Sequence, residues 1–135
     1  ILILLCIPVA VSQLCKNGLP VSESTGILAV HNDLRDAISN GTYTAKGVVM
    51  PAAHDPLPDL VWNCALEQSA QTVANTCEFK HSGLHGVGEN LYNAWSTKTL
   101  STTGQGILAA KAWENEFQKY GWSTVQFTMQ LMNTG

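Results

Sequence analysis

One histidine and one carboxylate stand eight positions apart on a loop rich in glycine. The stretch runs Phe79-Lys80-His81-Ser82-Gly83-Leu84-His85-Gly86-Val87-Gly88-Glu89-Asn90-Leu91-Tyr92. A neutral imidazole is a good ligand for a divalent metal. A carboxylate beside it can act as a second ligand, or can fix the imidazole tautomer through a hydrogen bond. A third group, Glu116, lies three residues after Trp113, which puts both on one face of a helix. An acid beside Trp113 and Phe117 is expected to be partly buried and to need a partner for its charge. One imidazole and two acids leave a tetrahedral zinc site short of ligands. His85 would extend the set to His81-x3-His85, but Gly83 and Gly86 argue against the helix that such chelation requires. Ser82 follows His81 without a Gly-x-Ser-x-Gly elbow, and there is no His-Glu-x-x-His, Cys-x-x-Cys or phosphate-binding glycine loop.

Three helices are expected to position these groups. Ile27, Val30, Leu34, Ala37 and Ile38 repeat at helical spacing and predict a first helix over 24–39, with Ser and Thr residues as N-cap candidates. His31 beside that stripe reads as a packing or capping histidine. Asn63 is a good N-cap for a second helix running to Cys77, with Glu67 near its positive end. Ile107, Leu108, Ala112, Trp113, Phe117 and Tyr120 predict a third helix over 105–119, stopped by Gly121. Between the first two helices Gly41, Gly47, Pro51, Pro56 and Pro58 rule out a continuous helix. Val48-Val49-Met50 is expected to be a short extended piece and His54-Asp55-Pro56 a turn. Residues 96–104 are expected to form a surface loop, and 125–132 are ambiguous between strand and irregular chain.

With 135 residues, 45 % hydrophobic and 13 % charged, the chain has the balance of one packed domain. Its net charge of −3 and lack of a basic cluster argue against nucleic acid and against anionic membrane surfaces as partners. Residues 1–12 are apolar and uncharged, too short for a membrane span, and fit the core of a secretory signal peptide with Ala10-Val11-Ser12 as its cleavage site. Cys15, Cys64 and Cys77 then remain. Cys64 and Cys77, thirteen residues apart on one expected helix, are too distant to bond to each other. Cys15 can reach either one, and the odd cysteine is either a free buried thiol or paired outside the chain. Asn40-Gly41-Thr42 is a glycosylation sequon in a turn-like segment, with Asn40 the acceptor.

Four motifs in order resemble the CAP superfamily, also called the SCP or cysteine-rich secretory family. They are His31-Asn32-x2-Arg35; Leu60-Val61-Trp62-Asn63 followed by Leu66 and Ala70; Cys77-Glu78-Phe79-Lys80-His81-Ser82 with Gly88-Glu89-Asn90-Leu91-Tyr92; and Ala112-Trp113-x2-Glu116. The early Cys15-x-Asn-Gly and the Cys-x-Leu-Glu after the Trp look most like the nematode activation-associated, venom-allergen-like group. The resemblance covers 22–135 and implies an α+β protein, a three-layer α-β-α sandwich with a central cleft. It implies that His81, Glu89 and Glu116 line that cleft and that His81 is one of two histidines able to hold a divalent cation such as zinc. The second histidine would lie in a Gly-His-Tyr-Thr-Gln-type strand after Met132-Asn133-Thr134-Gly135. The expectation is therefore a domain lacking its C-terminal strands and a sulfur partner for one cysteine, and residues 13–135 alone are expected to fold poorly. The implied function is that of a secreted, extracellular protein acting by binding a sterol, a lipid or an extracellular protein. The alternatives are a metal-dependent hydrolase and a purely structural scaffold.

Overall fold

The computed structural model describes residues 14–16 and 18–121. Residues 1–12, Cys6 among them, and the ambiguous segment 125–132 lie outside these. The described elements are α1 (Val21–Ser39), a hairpin of β1 (Thr44–Ala45) and β2 (Val48–Val49), α2 (Cys64–Ala74) and α3 (Gln105–Tyr120). None of the described helices is long and apolar enough to cross a membrane.

α1 begins three residues earlier than its Ser and Thr residues suggest. Pro20 takes the N-cap position, and its carbonyl accepts the amides of Glu23 and Ser24 at 3.0 and 3.1 Å. A proline there gives up no helical hydrogen bond, because the first amides of a helix lack partners anyway. Ser24 is consequently inside the helix and fully buried, with its hydroxyl turned back on the Val21 carbonyl at 3.1 Å.

α1 packs on α3 through small residues. A Cβ added to Gly26 would stand 2.8 Å from Ile107 Cδ1, and one added to Gly106 would collide with Ile27 Cδ1. Each isoleucine therefore occupies the space above the other helix's glycine. Buried Ala109 and Ala110 continue the close approach along α3. The helices are also joined at their ends. The Glu23 carboxylate accepts the Gly104 amide at 3.0 Å with both oxygens, which places an anion at the positive end of α3.

The hairpin turns through Lys46 and Gly47, both at positive φ (49° and 80°), as a two-residue turn matched to strand twist requires. Thr44 pairs with Val49 and Ala45 with Val48. Sequence reading finds only the second strand, because lysine is not a usual signal for such a turn. Gln118 of α3 holds the hairpin down. Its amide donates to the Thr44 carbonyl at 2.6 Å and the Tyr43 hydroxyl at 3.2 Å, while its oxygen accepts the Lys46 amide at 3.2 Å. Tyr43 and Phe117 meet edge to face at 6.1 Å.

α2 starts as expected. Asn63 Oδ1 accepts the amides of Ala65 and Leu66 at 2.9 and 3.1 Å. Its end differs from expectation, because the helix stops at Ala74 rather than reaching Cys77. Asn75 and Thr76 compete for the final turn: Gln71 donates to the Asn75 side chain at 2.8 Å, and the Thr76 hydroxyl to the Val73 carbonyl at 2.8 Å. Cys77 follows in the left-handed region at φ 54°. Cys15 bonds Cys64, with Cα atoms 5.5 Å apart. Cys77 has no sulfur partner among the described residues and is exposed rather than buried.

Candidate functional site

The glycines of the 77–93 loop fold it back on itself. Gly83 and Gly86 both take positive φ (72° and 76°), which returns Glu89 to His81. His81 Nδ1 lies 2.9 Å from Glu89 Oε1, and the Ser82 amide donates to the same oxygen at 2.9 Å. The His81 side chain is 64 % exposed and that of Glu89 only 20 %, so the imidazole projects outward from a sheltered acid. The Ser82 hydroxyl, the Ser82 amide and His81, in that order of effect, hold the Glu89 carboxyl below its ordinary value of 4.5. Ionised Glu89 can only accept hydrogen bonds, so Nδ1 of His81 carries a proton, and in the neutral ring the lone pair is on Nε2. That tautomer is the one a metal-binding histidine takes when an acid orients it.

The arrangement differs from a nucleophilic triad. There the imidazole sits between serine and acid and takes the serine proton. Here the Ser82 amide and the imidazole both bond to the carboxylate, so the imidazole does not bridge the Ser82 hydroxyl and the acid. Sequence reading places Ser82 in the family-like motif and outside any hydrolase elbow, without assigning it a bond to the loop's acid.

Glu89, but not His81, helps line a cavity of about 520 Å³. Val73 and Ala74 of α2 form one wall, Gly106, Ala109 and Trp113 of α3 another, and Glu89 to Asn93 part of the rim. This volume lies within the range of small-molecule pockets. The Trp113 indole donates to the Leu91 carbonyl at 3.0 Å, which fastens the rim to α3. His31 touches that tryptophan with ring centroids 6.5 Å apart, and its Nδ1 lies 2.8 Å from the Ile27 carbonyl. A carbonyl cannot donate, so Nδ1 bears the proton there. His31 is thus a packing residue against Trp113.

Glu116 is half-buried on α3, one turn beyond Trp113. The loop brings His81 and Glu89 together. Among the described residues, no three His, Cys, Asp or Glu side chains come together as a group able to hold a metal, so Glu116 does not complete such a set with them. His85 stays on the loop outside the pair. The other two family-like residues of α1 serve the fold. Asn32 exchanges two hydrogen bonds with the Leu60 backbone (3.2 and 2.9 Å), and Arg35 donates to the Pro58 carbonyl at 2.7 Å.

A disulfide-tied α+β domain with a histidine–acid pair whose acid helps line a largely apolar cavity is the class that fold and site define. The chain belongs to the CAP, or cysteine-rich secretory protein, family, whose pattern residues 28–134 match. It is 33 % identical to venom allergen 5.01 of Dolichovespula maculata over 111 residues, 78 % of this chain and 48 % of that protein. It is 34 % identical to a venom allergen 3 homolog of Dinoponera quadriceps over 100 residues, 70 % of this chain and 43 % of that protein. The chain thus spans about half the length of the curated relatives it matches. The crystal structure of NaASP2 with Zn2+ superposes with a TM-score of 0.78 at 27 % identity, covering 89 % of this chain and 65 % of that one.

Proposed function

We propose that this is a secreted protein whose cavity binds a sterol or other lipid, with an extracellular protein as the alternative ligand, and that it acts by binding rather than by catalysis. The observation that carries this reading is the 520 Å³ largely apolar cavity whose lining includes Glu89, the acid that bonds His81. An ordered acid and imidazole beside an apolar hollow suit an amphiphile, which buries its hydrocarbon and leaves a hydroxyl or headgroup at the mouth. The imidazole does not bridge the Ser82 hydroxyl and the acid, as an activated serine would require. Residues 1–12 as the signal peptide and 22–135 as the domain complete the proposal, and likeness to the nematode group is its narrowest part.

A divalent cation is a second element of the proposal. It rests on the Zn2+ of the NaASP2 structure and on the Nε2 lone pair that Glu89 leaves on His81. The described residues offer that one imidazole and no three-group set, short of the three protein ligands a catalytic zinc takes. The remaining ligands must come from outside the described residues, and no reaction step is assigned to the metal.

The test uses cholesterol and a fluorescent fatty acid as probes on the wild type and on Ala70→Trp. Ala70 is an exposed α2 position on the cavity wall, so the substitution fills the space without disturbing the α1–α3 contact. Saturable binding that Ala70→Trp abolishes is the expected result. Equal binding by both proteins removes the cavity from the function, and zinc-dependent peptide cleavage lost in His81→Ala would establish the hydrolase instead.

A further inference from the structure

The sequon Asn40-Gly41-Thr42 takes no part in that site. Asn40 closes α1 with its backbone amide, bonded to the Asp36 carbonyl at 2.9 Å, which leaves its exposed side chain unneeded for the cap. Thr42 is exposed as well. Gly41, at φ 67°, is pressed against the next segment so closely that an added Cβ would stand 2.7 Å from the Ala52 nitrogen. Ala52 belongs to a second hollow of about 410 Å³, lined by Ile38, Tyr43, Met50, Pro51 and their neighbours. The two hollows share no residue. Asn40 lies in the chain between Ile38, which lines this hollow, and Gly41, which abuts Ala52 of its lining.

We propose that Asn40 carries an N-linked glycan that overhangs the hollow at the end of α1. An Asn-x-Thr acceptor on an exposed turn meets the requirement for transfer. The Cys15–Cys64 disulfide is of the kind that forms in the oxidising compartment where transfer occurs. The donor is a lipid-linked oligosaccharide diphosphate. Asn40 Nδ2 forms a bond to the first sugar's C1, the C1–O bond to the diphosphate breaks, and the leaving lipid diphosphate takes the electron pair. One amide proton passes to the transferase. The first sugars then lie over Met50 and Pro51 and keep an apolar depression from acting as a sticky patch. This inference does not depend on the His81–Glu89 reading.

The experiment expresses the 135-residue chain behind a cleavable leader in a eukaryotic secretory host. Peptide mass analysis is restricted to molecules whose Cys15–Cys64 bond is oxidised, which certifies entry into the lumen. The expected result is a glycosidase-sensitive modification on Asn40, absent from Asn40→Gln and Thr42→Ala and retained in Thr42→Ser. Peroxide labelling of Met50 is expected to rise in Asn40→Gln and to match the wild type in Thr42→Ser. Unmodified Asn40 in oxidised chains overturns the proposal. A glycan whose loss leaves Met50 labelling unchanged overturns the shielding.

Discussion

α1 and α3 are held by close packing, whereas α2 is held by tethers. The first pair meets through glycines set under isoleucines, and Ser24 of α1 and Ala109 and Ala110 of α3 are buried. α2 has no buried residue among the described ones and packs against no other described helix or strand. The Cys15–Cys64 disulfide and the Glu67 carboxylate, which accepts the Leu19 amide, attach it to the segment before α1, and the same carboxylate accepts the indole N–H of Trp62 just before α2. Both the cavity and the His81–Glu89 loop lie between the two regions. One wall of the cavity is therefore set by a rigid contact and the other by a covalent bond and a buried-edge carboxylate.

The largest expected effect comes from cutting the covalent tether. The bond closes a loop of 49 residues, for which the chain-entropy account gives roughly 4 kcal/mol. Cys15→Ser combined with Cys64→Ser is expected to lose that stability in a denaturant titration. The loss should be uneven, with amide exchange accelerating in α2 well before α1 and α3. Equal acceleration in all three helices would break the contrast between the regions. Next is Gly106→Val, which pushes a branched side chain into Ile27 and is expected to cost about 3 kcal/mol through overpacking. Here exchange should accelerate in α1 and α3. A stability within error of wild type would mean that the small-residue contact is not what joins them.

Glu67→Ala should rank third, at about 2 kcal/mol, since it removes a charged acceptor from two donors at once. The proton shift of the Trp62 indole N–H reads it directly, because the indole loses its partner. A spectrum unchanged from wild type would show that Glu67 acts only as a favourable charge in the first turn of α2.

This division also explains what sequence could reveal. Packing by periodic apolar residues leaves a pattern, and the three helices and the Asn63 cap follow from it. Tethers leave little pattern. Cys64 was one of two possible partners for Cys15 until the fold brought their Cα atoms to 5.5 Å. Glu67 reads as a helix-dipole residue, and its bonds to Leu19 and Trp62 span parts of the chain that no local rule connects. The start of α1 was misplaced because Ser24 has the chemistry of a cap, whereas its burial depends on the tertiary fold. The His81–Glu89 pairing was legible as a possibility from two residue types on a glycine loop. The role of Ser82 was not, since it depends on backbone geometry at Gly83 and Gly86. Glu116 shows the opposite limit, where a sequence motif suggests a cleft acid and the described residues do not draw it into the pair's group.

The smallest effect, and the one that sharpens the site itself, is the acid response of the loop between the two regions. Glu89 is held below its ordinary 4.5 by the Ser82 hydroxyl, the Ser82 amide and His81. A carboxyl whose folded value lies below its unfolded one stabilises the folded loop at all pH above the unfolded value. That contribution is lost as pH falls below 4.5 and through the depressed folded value. The loop is therefore expected to keep its geometry through mildly acidic pH and to loosen only in stronger acid. Proton and carbon shifts of the Ser82 amide and the Glu89 carboxyl should titrate together, with a midpoint below 4.5. In Glu89→Gln the Ser82 step should disappear, and the His81 ring should lose its bias toward a protonated Nδ1, visible in its nitrogen shifts. A Ser82 amide that titrates at or above the ordinary carboxylate value would show that the carboxylate does not hold the loop. The Nε2 lone pair would then no longer be directed by Glu89, and the argument for a cation at His81 would lose its structural half.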